Sequence, residues 1–177
     1  RPAGWTGGLV DRPDGRVTDA DFREALAHFV TGVTVVTAAG PAGPHGVTVN
    51  AFASVSLEPQ LILVCIERSH LSHAILVRSR AFAVNVLAAG QEELSRFFAA
   101  AARPEGPDAF RGIAYRPGRT GAPLLDGCVA YVECRVAASH PGGDHTIFVG
   151  AVERAWAVPE RRPLVYYNRA YRTLGSP

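Results

Sequence analysis

The residues best suited to chemistry lie in one stretch, Gly46-Val47-Thr48-Val49-Asn50-Ala51-Phe52-Ala53-Ser54-Val55-Ser56-Leu57. Two strand-like pieces meet there at a small, polar joint. Thr48, Asn50, Ser54 and Ser56 fall at even spacings, so in extended structure they can share one face. A strand break near Ala51 to Ala53 would release backbone N–H and C=O groups. Such a site suits a planar heterocycle with donors and acceptors on its rim, and a phosphate reached by hydroxyls. Taken alone, a hydroxyl-lined face is also the wet side of any strand. A second polar feature is the turn Pro141-Gly142-Gly143-Asp144, with His145 directly after it. Asp144 reads as a turn-former there.

Other chemistries lack their residues. The sequence holds no GxGxxG, GxxxxGK[ST], HExxH or GxSxG, which argues against a dinucleotide fold, a P-loop, a zincin and a hydrolase elbow. All 18 basic residues are Arg, so any anion site must use Arg, backbone N–H groups or hydroxyls, and no Lys can form a Schiff base. The formal net charge of +2 is too small to point to nucleic acid or an anionic membrane. No apolar run reaches the roughly 18 residues of a membrane span. Three cysteines (Cys65, Cys128 and Cys134) sit in apolar runs without CxxC spacing. They read as buried small hydrophobes, and a reducing cytoplasm is the expected compartment. His70 and His73 lack further ligands at metal spacing, so no metal site is expected.

The elements that must hold the polar stretch follow from periodicity. Residues 1–17 carry Gly, Pro and Arg with no period and read as an N-terminal arm; residues 18–177 read as one domain. Thr18 offers an N-cap for an amphipathic helix over 19–30, ended by Gly32. Strands are expected over 33–38, 46–51, 53–57 and 61–66, the last buried on both faces. Ser69 would cap a helix over 70–78, followed by a strand over 82–87 and a helix over 91–102. Residues 103–108 read as a loop, 113–116 and 124–125 as short strands. Residues 128–139 and 145–157 flank the Gly-rich turn as a hairpin. Seven to nine strands with marginal helices, and no βαβ alternation, give a mainly β protein and suggest a β-barrel.

Followed by Glu58-Pro59 and Leu61-Ile62-Leu63-Val64-Cys65-Ile66, the polar stretch closely resembles the short-chain flavin reductase family, the reductase components of two-component flavin monooxygenases. Thr31-Gly32-Val33-Thr34-Val35-Val36-Thr37 resembles that family's first strand. Ser69 with Ser72, and Phe82-Ala83-Val84-Asn85-Val86-Leu87, are similar to its next helix and strand. Gly143-Asp144-His145 with Phe148-Val149-Gly150-Ala151-Val152-Glu153 is similar to its Gly-Asp-His motif. Pro163-Leu164-Val165-Tyr166-Tyr167 and Tyr171 match its tail.

The resemblance implies a homodimeric, FMN-binding split β-barrel with flavin near the dimer interface, FMN or FAD as cofactor or substrate, and NADH or NADPH as reductant. It implies Thr48, Val49, Asn50 and Ala51 along the isoalloxazine. It implies Ser54, Ser56, Cys65, Ile66, Ser69 and Ser72 toward the ribityl chain and phosphate, and His145 where the nicotinamide docks. Phe110 would either cap the flavin or fill the core. Tyr171 would reach the neighbouring subunit's site. Reduced flavin would go to a partner monooxygenase. The alternative is a protein of the same barrel that keeps its flavin as a prosthetic group for oxidising an organic substrate.

Overall fold

The structure, a computed structural model, describes residues 17–175; the arm expected over 1–17 lies outside the described residues except for Val17. Helix α1 spans Asp19–Ala27. Its start is a reciprocal capping box: Asp21 N donates to Thr18 Oγ1 at 3.2 Å, and Thr18 N donates to Asp21 Oδ2 at 3.4 Å. The helix ends at His28, short of the expected residue 30. Beyond it, Thr31–Gly32 form a short strand, β1, which pairs with residues 165–166. No residue of α1 is buried in the chain, and Phe29 and Val30 stay exposed.

Strands β2 (Thr34–Gly40), β3 (Gly43–Val49), β4 (Phe52–Leu57) and β5 (Gln60–Glu67) follow, then α2 (Leu71–Ser79), β6 (Ala81–Val86) and α3 (Glu92–Ala99). A short 3-10 helix, Gly106–Phe110, occupies part of the expected loop. Strands β7 (Tyr115–Pro117) and β8 (Pro123–Leu125) pair with each other. The hairpin β9 (Ala130–Gly142) and β10 (His145–Ala157) turns at Gly143-Asp144, where Gly143 takes a φ of 68° that glycine adopts without steric cost. Strands β11 (Leu164–Tyr167) and β12 (Ala170–Thr173) complete a three-stranded sheet with β1.

The main sheet is antiparallel, ordered β3-β2-β6-β9-β10-β5-β4. Its two edge strands, β3 and β4, are consecutive in the chain, with only Asn50 and Ala51 between them. Two residues cannot span a flat seven-stranded sheet, whose strands lie roughly 4.8 Å apart. The sheet therefore curls until its ends approach, and β3 touches β5 directly. One face gathers Val36, Val49, Val64, Ile66, Phe82 and Phe148 with Leu76 of α2. The other packs Val35, Ala83, Leu87 and Tyr131 against Phe98 of α3, Phe110 and Leu124.

Strand β5 departs from expectation. Ile62, Val64 and Ile66 are buried, but Leu61, Leu63 and Cys65 on its other face are only half-buried. The reason is its place: it lies next to the edge strand β4, and Leu63 on that side borders an open groove. Helix α2 is not capped by Ser69. His70 takes the N-cap position, and Ser69 Oγ instead donates to Glu67 Oε1 at 2.6 Å. Helix α3 stops at Ala99, before the expected residue 102.

Candidate functional site

The junction of the two sheet edges is held by backbone bonds. Phe52 N donates to Asn50 O at 2.8 Å, and Cys65 N donates to Ala51 O at 3.1 Å. These bonds turn the chain sharply from β3 into β4 and leave Asn50 and Ala51 exposed. A cleft of about 300 Å³ opens over the junction. Residues Val47 to Ala51 form one wall, and Cys65, Ile66 and Glu67 at the end of β5 form another; His70, Ala99 and His145 close the rim. Of the residues singled out in the sequence, Thr48, Val49, Asn50, Ala51, Cys65, Ile66 and His145 meet here.

Long-range pairing brings His145 to the cleft. His145 opens β10 and lies opposite Glu67, the last residue of β5. The turn before it is tied to the same place, because Arg68 N donates to Asp144 O at 2.9 Å. His145 Nδ1 and Asp144 Oδ1 are 2.7 Å apart. That hydrogen bond, helped by the charge of the ring, lowers the Asp144 carboxyl pKa below its ordinary value. With Nδ1 engaged, Nε2 is the nitrogen of His145 left for a bound molecule. Thr48 contributes backbone more than hydroxyl, since its Oγ1 donates to Ser95 O of α3 at 2.7 Å. Burial raises the Cys65 thiol above its ordinary value; it pushes those of Cys128 and Cys134 up to about 12.

The remaining singled-out residues lie elsewhere. A bulge in β4 sets Ser54 opposite Ile62 and Ser56 opposite Leu61, so Val55 is the extra residue. Directly paired residues share a face, so the bulge sends Ser54 and Ser56 to opposite faces, and the even spacing read from sequence fails there. Ser69 is exposed and engaged by Glu67. Ser72 is fully buried. Phe110 is a core residue, 5.3 Å from the Phe98 ring and 5.1 Å from Tyr115. Tyr171 packs on α3, its OH 2.8 Å from Ser95 Oγ.

Three cleft residues were not among those singled out, Val47, Glu67 and Ala99; His70, weighed from sequence as a metal ligand and set aside, lines the cleft as well. Glu67 had a signal, since it shares a strand face with Cys65 by the period of two. Ala99 had none.

The donor set fits a flavin. Val47, Val49, Ile66 and Ala99 offer apolar flanks for a flat ring, while Asn50, Glu67, His70 and His145 supply polar groups at its edge. Among the described residues no cluster of three or more His, Cys, Asp or Glu could hold a metal ion, and no helix is long and apolar enough to cross a membrane. A curled antiparallel sheet whose cleft at the join sets apolar flanks against a polar edge defines a protein suited to holding a flat heterocycle.

The comparisons make this specific. A model of the flavin reductase like domain matches residues 26–175, and the chain belongs to that family. It is 43% identical over 165 residues to an NADH-dependent FAD reductase of Streptomyces globisporus, covering 93% of this chain and 88% of that one. The NADH:FAD oxidoreductase SgcE6 of Streptomyces globisporus C-1027, solved in complex with NAD and FAD fragments, superposes with a TM-score of 0.83 at 39% identity, over 96% of this chain and 98% of that one. BorF, the flavin reductase component of a bacterial two-component tryptophan halogenase, superposes with a TM-score of 0.85 at 40% identity, over 90% of this chain and all of that one.

Proposed function

We infer that this protein is an NADH-dependent flavin reductase that supplies reduced flavin to a partner flavin-dependent monooxygenase. The observation that carries the reading is the meeting, in one solvent-facing cleft, of the Asn50-Ala51 junction with the His145 hairpin. Bound flavin supplies the reactivity, taking at N5 the hydride that nicotinamide C4 gives up. The chain's residues position the two rings. The backbone of Thr48 to Ala51 lies along the isoalloxazine, Cys65 and Ile66 flank it, and His145 Nε2 orients the nicotinamide amide. An exposed cleft of this kind lets flavin enter and leave, which favours flavin as a diffusing substrate over a resident prosthetic group.

The working unit in this reading is a homodimer of split barrels in a reducing cytoplasm. Beside the cleft, and sharing Asn50 and Ala51 with it, lies a second groove of about 630 Å³ walled by Leu26, Phe29, Phe52, Leu63 and Tyr166. Phe29 is 72% exposed and Leu26 55%, and the described residues of a single chain leave this apolar face bare. A two-fold partner would cover it and stand next to the flavin.

Anaerobic mixing with NADH and excess FMN or FAD tests the reaction. Continuous bleaching of the flavin band over many equivalents is expected. Bleaching of one bound equivalent only would replace this reading with the prosthetic-group alternative. For the dimer, light scattering should give twice the chain mass, and Phe29→Asp should give monomers with weakened flavin binding. A monomeric wild-type protein that binds flavin normally would overturn it.

A further inference from the structure

His45 and Ser72 are polar residues set deep in the fold. Ser72, in the first turn of α2, has no exposure, and His45, on β3, is 5% exposed. Their neighbours in sequence, Val47, Ile75 and Leu76, belong to the apolar cluster on that face of the sheet. A buried hydroxyl and imidazole are costly there unless both are hydrogen-bonded. They are bonded in a chain. His45 Nε2 lies 2.7 Å from Ser72 Oγ, and Ser72 Oγ lies 3.0 Å from His70 Nδ1. Of the three, only His70 lines the cleft.

A serine hydroxyl carries one proton, so when it bridges two imidazoles at least one ring must donate to it. The direction of donation decides what His70 shows the cleft. If the bridge donates to His70 Nδ1, the His70 proton sits on Nε2 and faces outward. If the direction reverses, a neutral His70 shows a lone pair. Burial, then the Arg103 guanidinium, then His70 lower the pKa of His45 to about 4. Its ring is therefore neutral at neutral pH, with one donor and one acceptor nitrogen. Arg103 is fixed beside it, donating through Nη2 to Gly46 O at 2.7 Å.

We propose that His45 is a positioning residue: its Nε2–H donates to Ser72 Oγ, the Ser72 hydroxyl donates to His70 Nδ1, and His70 Nε2–H is thereby held as a donor for the phosphate of a bound flavin. This hydrogen-bonded chain gives the cleft an oriented donor where, among the described residues, its wall has no Arg. The proposal rests on the cleft being the flavin site.

The test compares FMN with riboflavin, which lacks the phosphate, by quenching of flavin fluorescence without NADH. His70→Ala should weaken FMN about tenfold, the worth of one hydrogen bond to a charged group, and leave riboflavin within about twofold. His45→Phe should reproduce most of that loss, and His45→Gln, which keeps a donor, should restore it. In the double variant His45→Phe/His70→Ala, FMN should bind no more weakly than to His70→Ala alone. If His45→Phe does not fold, Ser72→Ala breaks the same bridge with little change in volume. Equal weakening of FMN and riboflavin, additive losses in the double variant, or no rescue by His45→Gln would each overturn the relay while leaving the flavin site intact. Failure of the wild type to bind either flavin would overturn the site itself, and the relay with it.

Discussion

His145 and Glu67 stand opposite each other across the β10–β5 ladder, 78 positions apart in sequence by the difference of their numbers, and both line the cleft. The pairing makes the Gly-Asp-His turn and the end of β5 a single structural unit. A change in the hairpin register would carry His145 out of the cleft, because a slip of one residue reverses its face.

His145→Ala should therefore raise the KM for NADH or slow hydride transfer, lowering kcat/KM for NADH about 10- to 100-fold, the range one directional hydrogen bond commands. Flavin affinity should stay nearly unchanged. Steady-state kinetics together with flavin titration check this, and an equal loss of flavin binding would sink the nicotinamide role.

Cys65 lines the cleft, whereas Cys128 and Cys134 are fully buried. Burial favours the thiol form in all three, most strongly in the latter two. In the native protein a maleimide should label Cys65 alone, and slowly. Saturating FMN or FAD should slow the labelling further. Mass spectrometry of the labelled peptides reads the result; unchanged Cys65 labelling with flavin present would move the flavin elsewhere.

His45 predicts a pH dependence of stability. Its folded pKa is about 4, against an ordinary 6.5. The unfolded chain then binds the extra proton between these values, so the stability contributed by neutral His45 is complete above about pH 6.5 and is lost as pH falls toward 4. The loss should be on the order of 3 kcal/mol over that whole window, of which about 2 kcal/mol falls between pH 7 and pH 5. Urea unfolding at pH 7 and pH 5 should show a larger drop for wild type than for His45→Phe. Parallel drops would mean that His45 does not carry the dependence.

Gly150 sits where β10 crosses the core, and a Cβ there would lie 2.7 Å from Phe82 Cζ and 2.9 Å from Cys134 Cβ. Gly150→Ala should destabilise the fold by about 1–3 kcal/mol through overpacking, lowering Tm by several degrees. Calorimetry checks this. Trimming Phe82 to Leu in the same chain should recover part of the loss.

Much of this protein was written locally. The apolar run of residues 147–152, the glycines of the turn and the β-branched run after Gly32 specify the strands wherever they pack, because strand propensity and a turn residue act over a few positions. The sequence of the Thr48 to Ala51 joint marked a polar, small-residue seam, and the cleft formed there. Other features depended on partners far along the chain. The bulge at Val55 parted Ser54 from Ser56. The half-bare face of β5 follows from its place beside an edge. The burial of Ser72 and Phe110, and the cleft positions of His70 and Ala99, arise only when the ends of the sheet curl together. Which face of a strand is covered, and which hydroxyl meets which histidine, are properties of long-range packing, and no local period encodes them.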